Sequence, residues 1–141
     1  DIIGIDNMNN YYDVSLKRSR LEELYKSSKK YKSKFIFFEK NLEDFISLNN
    51  IFKEYKPIKV VNLAAQAGVR NSIVDPNSYV QSNVVGFMNV LEACRHNNIK
   101  GLIYASSSSV YGGNSLVPFS ENHNVDNPTS ITLIPIEINV C

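Results

Sequence analysis

The stretch VVNLAAQAGVRNS, residues 60–72, decides how this chain folds. It opens with a short apolar run rich in β-branched residues, which is typical of a strand buried on both faces. Small residues follow the run, and they let the backbone approach a planar or phosphate-bearing ligand closely. Tight packing of a strand against a helix also explains Ala64 and Ala65, but it explains Gln66 and Arg70 less well. The stretch therefore predicts a buried strand with a binding site at its end.

Strands and helices alternate on both sides of this stretch. The apolar runs predict strands at residues 2–5, 35–39, 59–65 and 101–107. Helical spacing predicts helices at residues 14–26, about 44–55 and 77–97, with Asp13 as a cap and Pro57 as a stop. The inner side of the third helix carries Tyr79, Val84, Phe87, Val90 and Leu91.

This alternation indicates the fold class. Strands that lack in-and-out alternation, each separated by a helix, favour a parallel sheet covered on both faces. Right-handed crossovers then make an α/β, doubly wound, Rossmann-like layer. We expect the strands that begin near Ile2, Val60 and Leu102 to lie together, with the third helix on one face. The sequence shows no internal repeat and no domain boundary.

The composition excludes several classes of protein. Of the 141 residues, 43% are hydrophobic and 21% are charged, which is typical of a soluble globular domain. The net charge of +1 provides no electrostatic field for nucleic acid or an acidic membrane. Lysines cluster within residues 25–34, which we interpret as a solvated helix end and loop rather than a binding patch. No apolar run approaches the ~18 residues of a membrane span, and the first residues do not read as a signal peptide.

The cysteines and histidines give no sign of a metal site. Cys94, Cys141, His96 and His123 show neither metal-ligand spacing nor a disulfide framework, and we expect a reducing, cytoplasmic location. The chain opens inside a strand-like run, DIIGID, without an initiator methionine. We therefore expect it to be a piece of a longer protein.

Polar residues stand where two of the predicted strands end. An acid such as Asp6, after the first strand, accepts hydrogen bonds from adenosine ribose hydroxyls in dinucleotide folds and repels a 2′-phosphate. Many such aspartates are only turn or cap residues. YASSSSVYGG, residues 104–113, is either a flexible serine-rich loop or a strand end that presents one hydroxyl to a ligand.

Four segments together resemble the extended short-chain dehydrogenase/reductase superfamily. They are GIDNMNNYYDVSLKRSRL (4–21), VVNLAAQAGVRNSIVDP (60–76), YVQSNVVGFMNVLEACR (79–95) and LIYASSSSVYG (102–112). Within the superfamily they are similar to the NAD-dependent nucleotide-sugar epimerases, most closely the UDP-glucuronate 4-epimerases. The resemblance implies NAD as cofactor, a UDP-sugar as substrate and a homodimer. It also implies a reaction in which hydride leaves sugar C4, the 4-keto sugar rotates, and hydride returns to the other face.

The resemblance implies a set of cofactor-binding residues. Those that match the family are Asp6, Asn7 and Asn10 at the ribose, Asn41 and Leu42 at the adenine, Leu63, Ala64, Ala65 and Ala105 along the cofactor, and Asn83, which holds the surrounding loops. Asn41 departs from the usual aspartate, which keeps an acceptor there but loses the charge. Asn62 replaces a common histidine, and nothing in the sequence explains that change.

The serine cluster carries the implied catalysis. By its distance from the Val-Tyr-Gly turn, Ser107 matches the family's catalytic serine or threonine, which hydrogen-bonds the sugar 4-oxygen. Arg70, Ser108 and Ser109 are the implied substrate-binding residues. Sugar dehydratases of the superfamily place Asp-Glu where Ser108 and Ser109 stand, because elimination of water needs an acid and a base. Serines cannot serve in that way, which favours an epimerase over a dehydratase.

Two family features are missing from the sequence. A first strand with a glycine-rich turn should precede Asp1, and a Tyr-x-x-x-Lys pair should follow the serine by about 25 residues, where the lysine lowers the tyrosine pKa. Thr132 and Ile136 stand in the places of that tyrosine and lysine. The same spacing at Tyr25 and Lys29, or at Tyr55 and Lys59, is best explained by chance.

We therefore expect a partial NAD-binding Rossmann domain at residues 1–130, incomplete at both ends, and an unmatched tail at residues 131–141. A truncated, frameshifted or split gene explains such a chain, and a divergent ending is the alternative. We expect the chain to be inactive as it stands. A UDP-glucose 4-epimerase-like enzyme, a non-catalytic nucleotide-binding Rossmann module and a chain without function remain alternatives.

Overall fold

A computed structural model describes residues 1–126 of the chain, and these alternate between strands and helices as predicted. The strands are β1 (Ile2–Asp6), β2 (Phe35–Glu39), β3 (Val60–Asn62) and β4 (Leu102–Tyr104). The α-helices are α1 (Val14–Lys30), α2 (Phe45–Tyr55), α3 (Val69–Val74), α4 (Pro76–Tyr79) and α5 (Phe87–His96). A π-helical segment, Val80–Gly86, joins α4 to α5, and a 3₁₀ turn, Ser108–Tyr111, follows β4. The predicted helix at residues 77–97 is therefore helical throughout, but not uniformly α.

Side-chain caps fix where the first two helices begin. The Asp13 carboxylate accepts a hydrogen bond from the Ser15 N–H at 2.7 Å. Hydrogen bonds from the Ser15 hydroxyl and from this N–H lower the pKa of Asp13. Asp44 caps α2 in the same way by accepting from the Ser47 N–H at 3.0 Å. The prediction of Asp13 as a cap is confirmed. Helix α2 ends at Lys56, in a left-handed conformation directly before Pro57.

The strands pair in parallel, with helices on both faces. In the β1–β2 pair, Ile2 lies opposite Phe35, and in the β3–β4 pair, Val60 lies opposite Leu102. Tyr25 of α1 packs on Phe35, whereas Tyr55 of α2 packs on Phe38. Because residues three apart on a strand point to opposite faces, α1 and α2 cover opposite faces of β2. The predicted doubly wound architecture is confirmed.

The predicted strand order is wrong at one place. β1 does not pair with β3; a groove separates the two strands, and both line it, through Ile3, Gly4 and Ile5 on one side and Val60 and Val61 on the other. The doubly wound fold has the strand order 3-2-1-4-5-6. The β1 and β3 of this chain correspond to strands 2 and 4 of that order, and strand 1 lies between those two. The described residues therefore form two half-sheets rather than one continuous sheet.

The helices on one face hold the two half-sheets together. Leu48 and Phe52 of α2 pack against Val90, Ala93 and Cys94 of α5 in a buried cluster. Ile5 of β1, and Val60 and Leu102 of the other half-sheet, pack on the same cluster. This apolar contact, rather than backbone hydrogen bonding, joins the halves.

The prediction that every strand is buried on both faces is wrong for β3 and β4. Val61 and Ile103, which lie opposite each other, are 58% and 61% exposed. The neighbouring residues Val60 and Leu102 face the helical cluster. The Val61 and Ile103 side chains therefore point to the opposite face of the sheet. Helix α1 covers that second face over β2, where Tyr25 packs on Phe35.

Other predictions lie outside the described residues. The expectation that the tail from Ile131 packs poorly or at an edge falls there, as do the positions of Thr132 and Ile136. Within residues 1–126, no helix is both long and apolar enough to cross a membrane. No group of three potential metal-ligating side chains occurs in that same part of the chain.

Candidate functional site

Two clefts meet at the segment that follows β3. The Asp6 cleft lies between the ends of β1 and β3. The Ser107 cleft lies between the ends of β3 and β4. Four consecutive residues line both clefts: Leu63, Ala64, Ala65 and Gln66. The stretch that decides the fold therefore also forms the wall shared by the two clefts.

Asp6 is held at the floor of its cleft by the chain that follows it. Its Oδ1 accepts a hydrogen bond from the Met8 N–H at 2.6 Å. Asn7 continues the turn, with its Oδ1 accepting from the Asn9 N–H at 3.2 Å. Asp6 therefore does stabilise the turn, which was the alternative to ribose binding. Its side chain is nevertheless 47% exposed. The two roles are compatible, because a carboxylate has several acceptor sites.

A cation beside Asp6 was not singled out from the sequence. The Nζ of Lys17, in the first turn of α1, lies 3.3 Å from Asp6 Oδ1 and 3.2 Å from Asn9 Oδ1. The Lys17 side chain is only 19% exposed. Lys40, directly after β2, also lines the cleft. In a chain with 15 Lys and Arg residues, the pattern alone does not distinguish these two from the rest.

Apolar side chains also line the Asp6 cleft and are open to solvent. Leu63 is 73% exposed, and Ala64 and Ala65 are exposed as well. Leu42 lines the cleft too, and it lies so close to Gly86 that a Cβ there would be about 3.0 Å from the Leu42 Cβ. Asn89 fixes this contact by donating to the Leu42 carbonyl at 2.8 Å. The cleft thus combines exposed apolar groups with a carboxylate.

Three side chains fasten the segment Gln66 to Gly68, between the two clefts. The buried Asn83 accepts from the Gln66 N–H at 2.7 Å and donates to the Gln66 carbonyl at 3.0 Å. The hydroxyls of Tyr11 and Tyr79 each lie 2.7 Å from the Ala67 carbonyl oxygen. The hydrogen bond between the two phenols raises the pKa of Tyr11 above its ordinary value. Asn83 therefore fixes the Gln66 backbone, and its role around a cofactor stays a prediction.

Ser107 stands in an ordered turn rather than in a free loop. It is extended, with φ −136° and ψ 151°, and it caps the 3₁₀ turn that begins at Ser108. Its Oγ accepts from the Ser109 N–H and donates to the Ser109 hydroxyl, both at 3.3 Å. The side chain is exposed and lines the cleft beside Asn83 and Phe87. The serine run is therefore an ordered turn at a strand end, and Ser106, Ser107 and Ser109 all line the cleft. That Ser107 presents its hydroxyl to a ligand stays a prediction.

The clefts gather most of the predicted site residues. The Asp6 cleft contains Asp6, Asn7, Leu42, Leu63, Ala64 and Ala65, and the Ser107 cleft contains Asn83, Ala105, Ser107 and Ser109. Four predicted residues are exposed and line neither cleft: Asn10, Asn41, Arg70 and Ser108. The roles of all these residues, inside the clefts or outside them, stay predictions. Tyr11, Lys17 and Lys40 were not expected at the site, and Gln66 had no role beyond that of an unexplained polar residue.

Comparison with known proteins gives matches along almost the whole chain. Residues 2–131 match the family described as GDP-mannose 4,6 dehydratase. The CapI protein of Staphylococcus aureus is 52% identical over 130 residues, covering 92% of this chain and 37% of that protein. UDP-glucuronate 4-epimerase 2 of Arabidopsis thaliana is 44% identical over 131 residues, covering 92% of this chain and 29% of that protein.

A solved structure agrees with these matches. The crystal structure of UDP-glucose 4-epimerase from Brucella ovis in complex with NAD is similar at a TM-score of 0.61 and 32% identity, over 66% of this chain and 29% of that one. The chain spans between 29% and 37% of the length of these proteins. It therefore belongs to the GDP-mannose 4,6 dehydratase family, among the NAD-dependent epimerases and dehydratases that its motifs resemble.

Proposed function

We propose that this chain is the part of a nucleotide-sugar 4-epimerase that binds NAD and presents the catalytic serine, with a UDP-glucuronate-type sugar as the substrate. One observation carries the proposal: the Asp6 cleft and the Ser107 cleft share the wall from Leu63 to Gln66. A long ligand whose ribose lies at Asp6 extends along this wall to the serine. Such a path suits a dinucleotide that must reach from a carboxylate to a reacting sugar.

The residues of the Asp6 cleft fit the adenosine half of NAD. The Asp6 carboxylate supplies acceptors for ribose hydroxyls, and the exposed Ala64 and Ala65 let a planar group approach the backbone. Leu42 supplies apolar surface on the other side. NAD, when bound, supplies the hydride acceptor. The chain's own residues bind it, orient it along the shared wall and keep its reactive end near Ser107.

Ser107 is the residue that meets the sugar in this proposal. Its hydroxyl donates a hydrogen bond to the sugar 4-oxygen, where a carbonyl develops as hydride leaves C4. In the structure the single proton of this hydroxyl is donated to the Ser109 hydroxyl at 3.3 Å, so it turns from Ser109 to the sugar oxygen when a sugar binds. The 3₁₀ turn holds the backbone at Ser107, and this supports its role as a positioned donor.

The serine pair also favours epimerisation over loss of water. A dehydratase needs an acid and a base next to the reacting sugar, whereas Ser108 and Ser109 carry only hydroxyls. Among the compared proteins, the A. thaliana relative is a UDP-glucuronate 4-epimerase and the B. ovis neighbour is a UDP-glucose 4-epimerase. The match to the former, 44% identical over 92% of this chain, supports the glucuronate type, with the glucose type as the alternative.

A second candidate is a nucleotide-binding module without turnover. One observation favours it: Thr132 and Ile136 stand where the resemblance places the tyrosine and lysine of the catalytic pair. An alcohol is too weak an acid to be ionised near neutral pH without a strong base, and isoleucine carries no charge. Both candidates bind NAD in the same cleft, and turnover of an epimerase chimera that carries residues 2–131 distinguishes them. Cytoplasmic location and a homodimer are further parts of the proposal.

Replacement of Asp6 by alanine tests the assignment of the cofactor. We expect the wild-type chain to bind NAD more tightly than NADP, and Asp6→Ala to reduce that preference about fivefold, because one negative charge near the 2′-phosphate is lost. Ligand-observed NMR titration of the 141-residue chain measures both dissociation constants. Asp126→Ala, an exposed carboxylate outside both clefts, is the matched control. An unchanged ratio in Asp6→Ala means that Asp6 is only a turn residue.

A further inference from the structure

The ion pair between Lys17 and Asp6 changes what the cleft presents to a nucleotide. Lys17 comes from α1 and reaches back over the turn that follows β1, where its ammonium contacts both Asp6 and Asn9. Four-fifths of the side chain is covered, since only 19% is exposed, so the ammonium is held near the carboxylate rather than free in solvent. The same oxygen, Asp6 Oδ1, also accepts a hydrogen bond from the Met8 N–H. The pair is therefore a fixed part of the cleft floor.

The charges that line the cleft cancel. Its ionisable residues are the carboxylates Asp6 and Glu43 and the ammonium groups Lys17 and Lys40. A lone aspartate at this place repels a 2′-phosphate, as the sequence predicts. With a cation 3.3 Å away, the same carboxylate acts on a phosphate largely as part of a dipole, whose field falls off more steeply than that of a charge.

We infer that Lys17 determines how strongly this cleft discriminates between ligands with and without a phosphate on the adenosine ribose. The inference rests on the proposed function of the Asp6 cleft. Lys17 partly cancels the repulsion by Asp6, so the natural chain prefers NAD over NADP only modestly. Without the ammonium, the Asp6 charge is uncompensated, and the discrimination widens. Lys17 is thus a specificity-determining residue that acts through Asp6 and through its own charge.

The experiment compares the binding of NAD and of NADP to the 141-residue chain and its variants by ligand-observed NMR titration. In Lys17→Met, which keeps an unbranched apolar side chain, we expect the ratio of the NADP to the NAD dissociation constant to rise about fivefold. Lys17→Arg keeps the charge, and the ratio stays within about twofold of the wild-type value. Lys26→Met is the matched control, because Lys26 is on the same helix and pairs with Glu23 away from the cleft.

The outcomes separate this inference from the proposed function. If NAD and NADP bind but Lys17→Met and Lys26→Met leave the same ratio as wild type, the inference about Lys17 is overturned and the proposed function stands. If neither ligand binds the wild-type chain up to millimolar concentration, both are overturned. A ratio that rises in Lys17→Met at low salt and converges with wild type at high salt supports the electrostatic origin.

Discussion

Replacing Ser107 with alanine is expected to lower kcat about 100-fold or more, the scale of losing one preorganised hydrogen-bond donor at a developing carbonyl. The measurement needs a complete enzyme. A chimera in which residues 2–131 replace the matching segment of the A. thaliana UDP-glucuronate 4-epimerase 2 provides one. We expect the chimera to interconvert the two 4-epimers of UDP-glucuronate, and KM to change much less than kcat, because the donor acts mainly on the transition state.

Ser115→Ala is the matched control, because Ser115 is exposed and lines neither cleft. Equal kcat in the two serine variants would remove Ser107 from the catalytic site. The 141-residue chain itself is expected to show no turnover, since Thr132 and Ile136 provide no group that takes the 4-hydroxyl proton at neutral pH. Turnover by that chain would show that the base lies elsewhere in it and would count against the module without turnover.

Replacing Asn83 with alanine is expected to cost about 1–3 kcal/mol of the free energy of unfolding. Asn83 is 7% exposed, and its amide satisfies both the N–H and the carbonyl of Gln66. Its loss leaves these two backbone groups without their side-chain partner at the wall shared by the clefts. Urea unfolding followed by circular dichroism measures the change. The variant should also bind NAD more weakly, because the wall is no longer fixed.

Asn77→Ala provides the comparison for Asn83→Ala, since Asn77 is exposed on the same helical segment. We expect Asn77→Ala to change stability by less than about 0.5 kcal/mol, as surface substitutions usually do. If both variants unfold at the same urea concentration as the wild type, the hydrogen bonds of Asn83 contribute nothing, and the Gln66 segment is held by Tyr11 and Tyr79 alone.

The elements of the fold could be predicted because each has a local cause in the sequence. Asp13 and Asp44 provide side chains that cap helices, and Pro57 prevents continuation of a helix. The order of the strands has no such local cause. Whether β1 lies beside β3 depends on which backbone edges meet, and an apolar run is compatible with a place at an edge, at the centre or beside a groove. The error in the predicted order follows from that ambiguity.

The residues of the candidate site also differ in how far a local pattern in the sequence points to them. Asp6, Ala64 and Ser107 could be identified because they directly follow strands, and the ends of parallel strands converge. Lys17 and Tyr11 could not, since their importance depends on contacts across the cleft. The Tyr11 hydroxyl reaches the carbonyl of Ala67, a residue 56 positions later in the chain. Nothing in the local spacing of a tyrosine or a lysine encodes such a contact.

The groove between β1 and β3 gives ligand binding a mechanical consequence. Asp6 belongs to one half-sheet, whereas Ala64 and Ala65 follow a strand of the other, so a molecule in the Asp6 cleft bridges the two. Such a molecule connects the two half-sheets at a place where no backbone hydrogen bonds join β1 to β3. By thermodynamic linkage, a ligand present at 100 times its dissociation constant raises the free energy of unfolding by about 2.7 kcal/mol. The helical cluster and the hydrogen bond from Tyr11 to the Ala67 carbonyl already join the two halves, and we expect a ligand in the Asp6 cleft to add a further link between them.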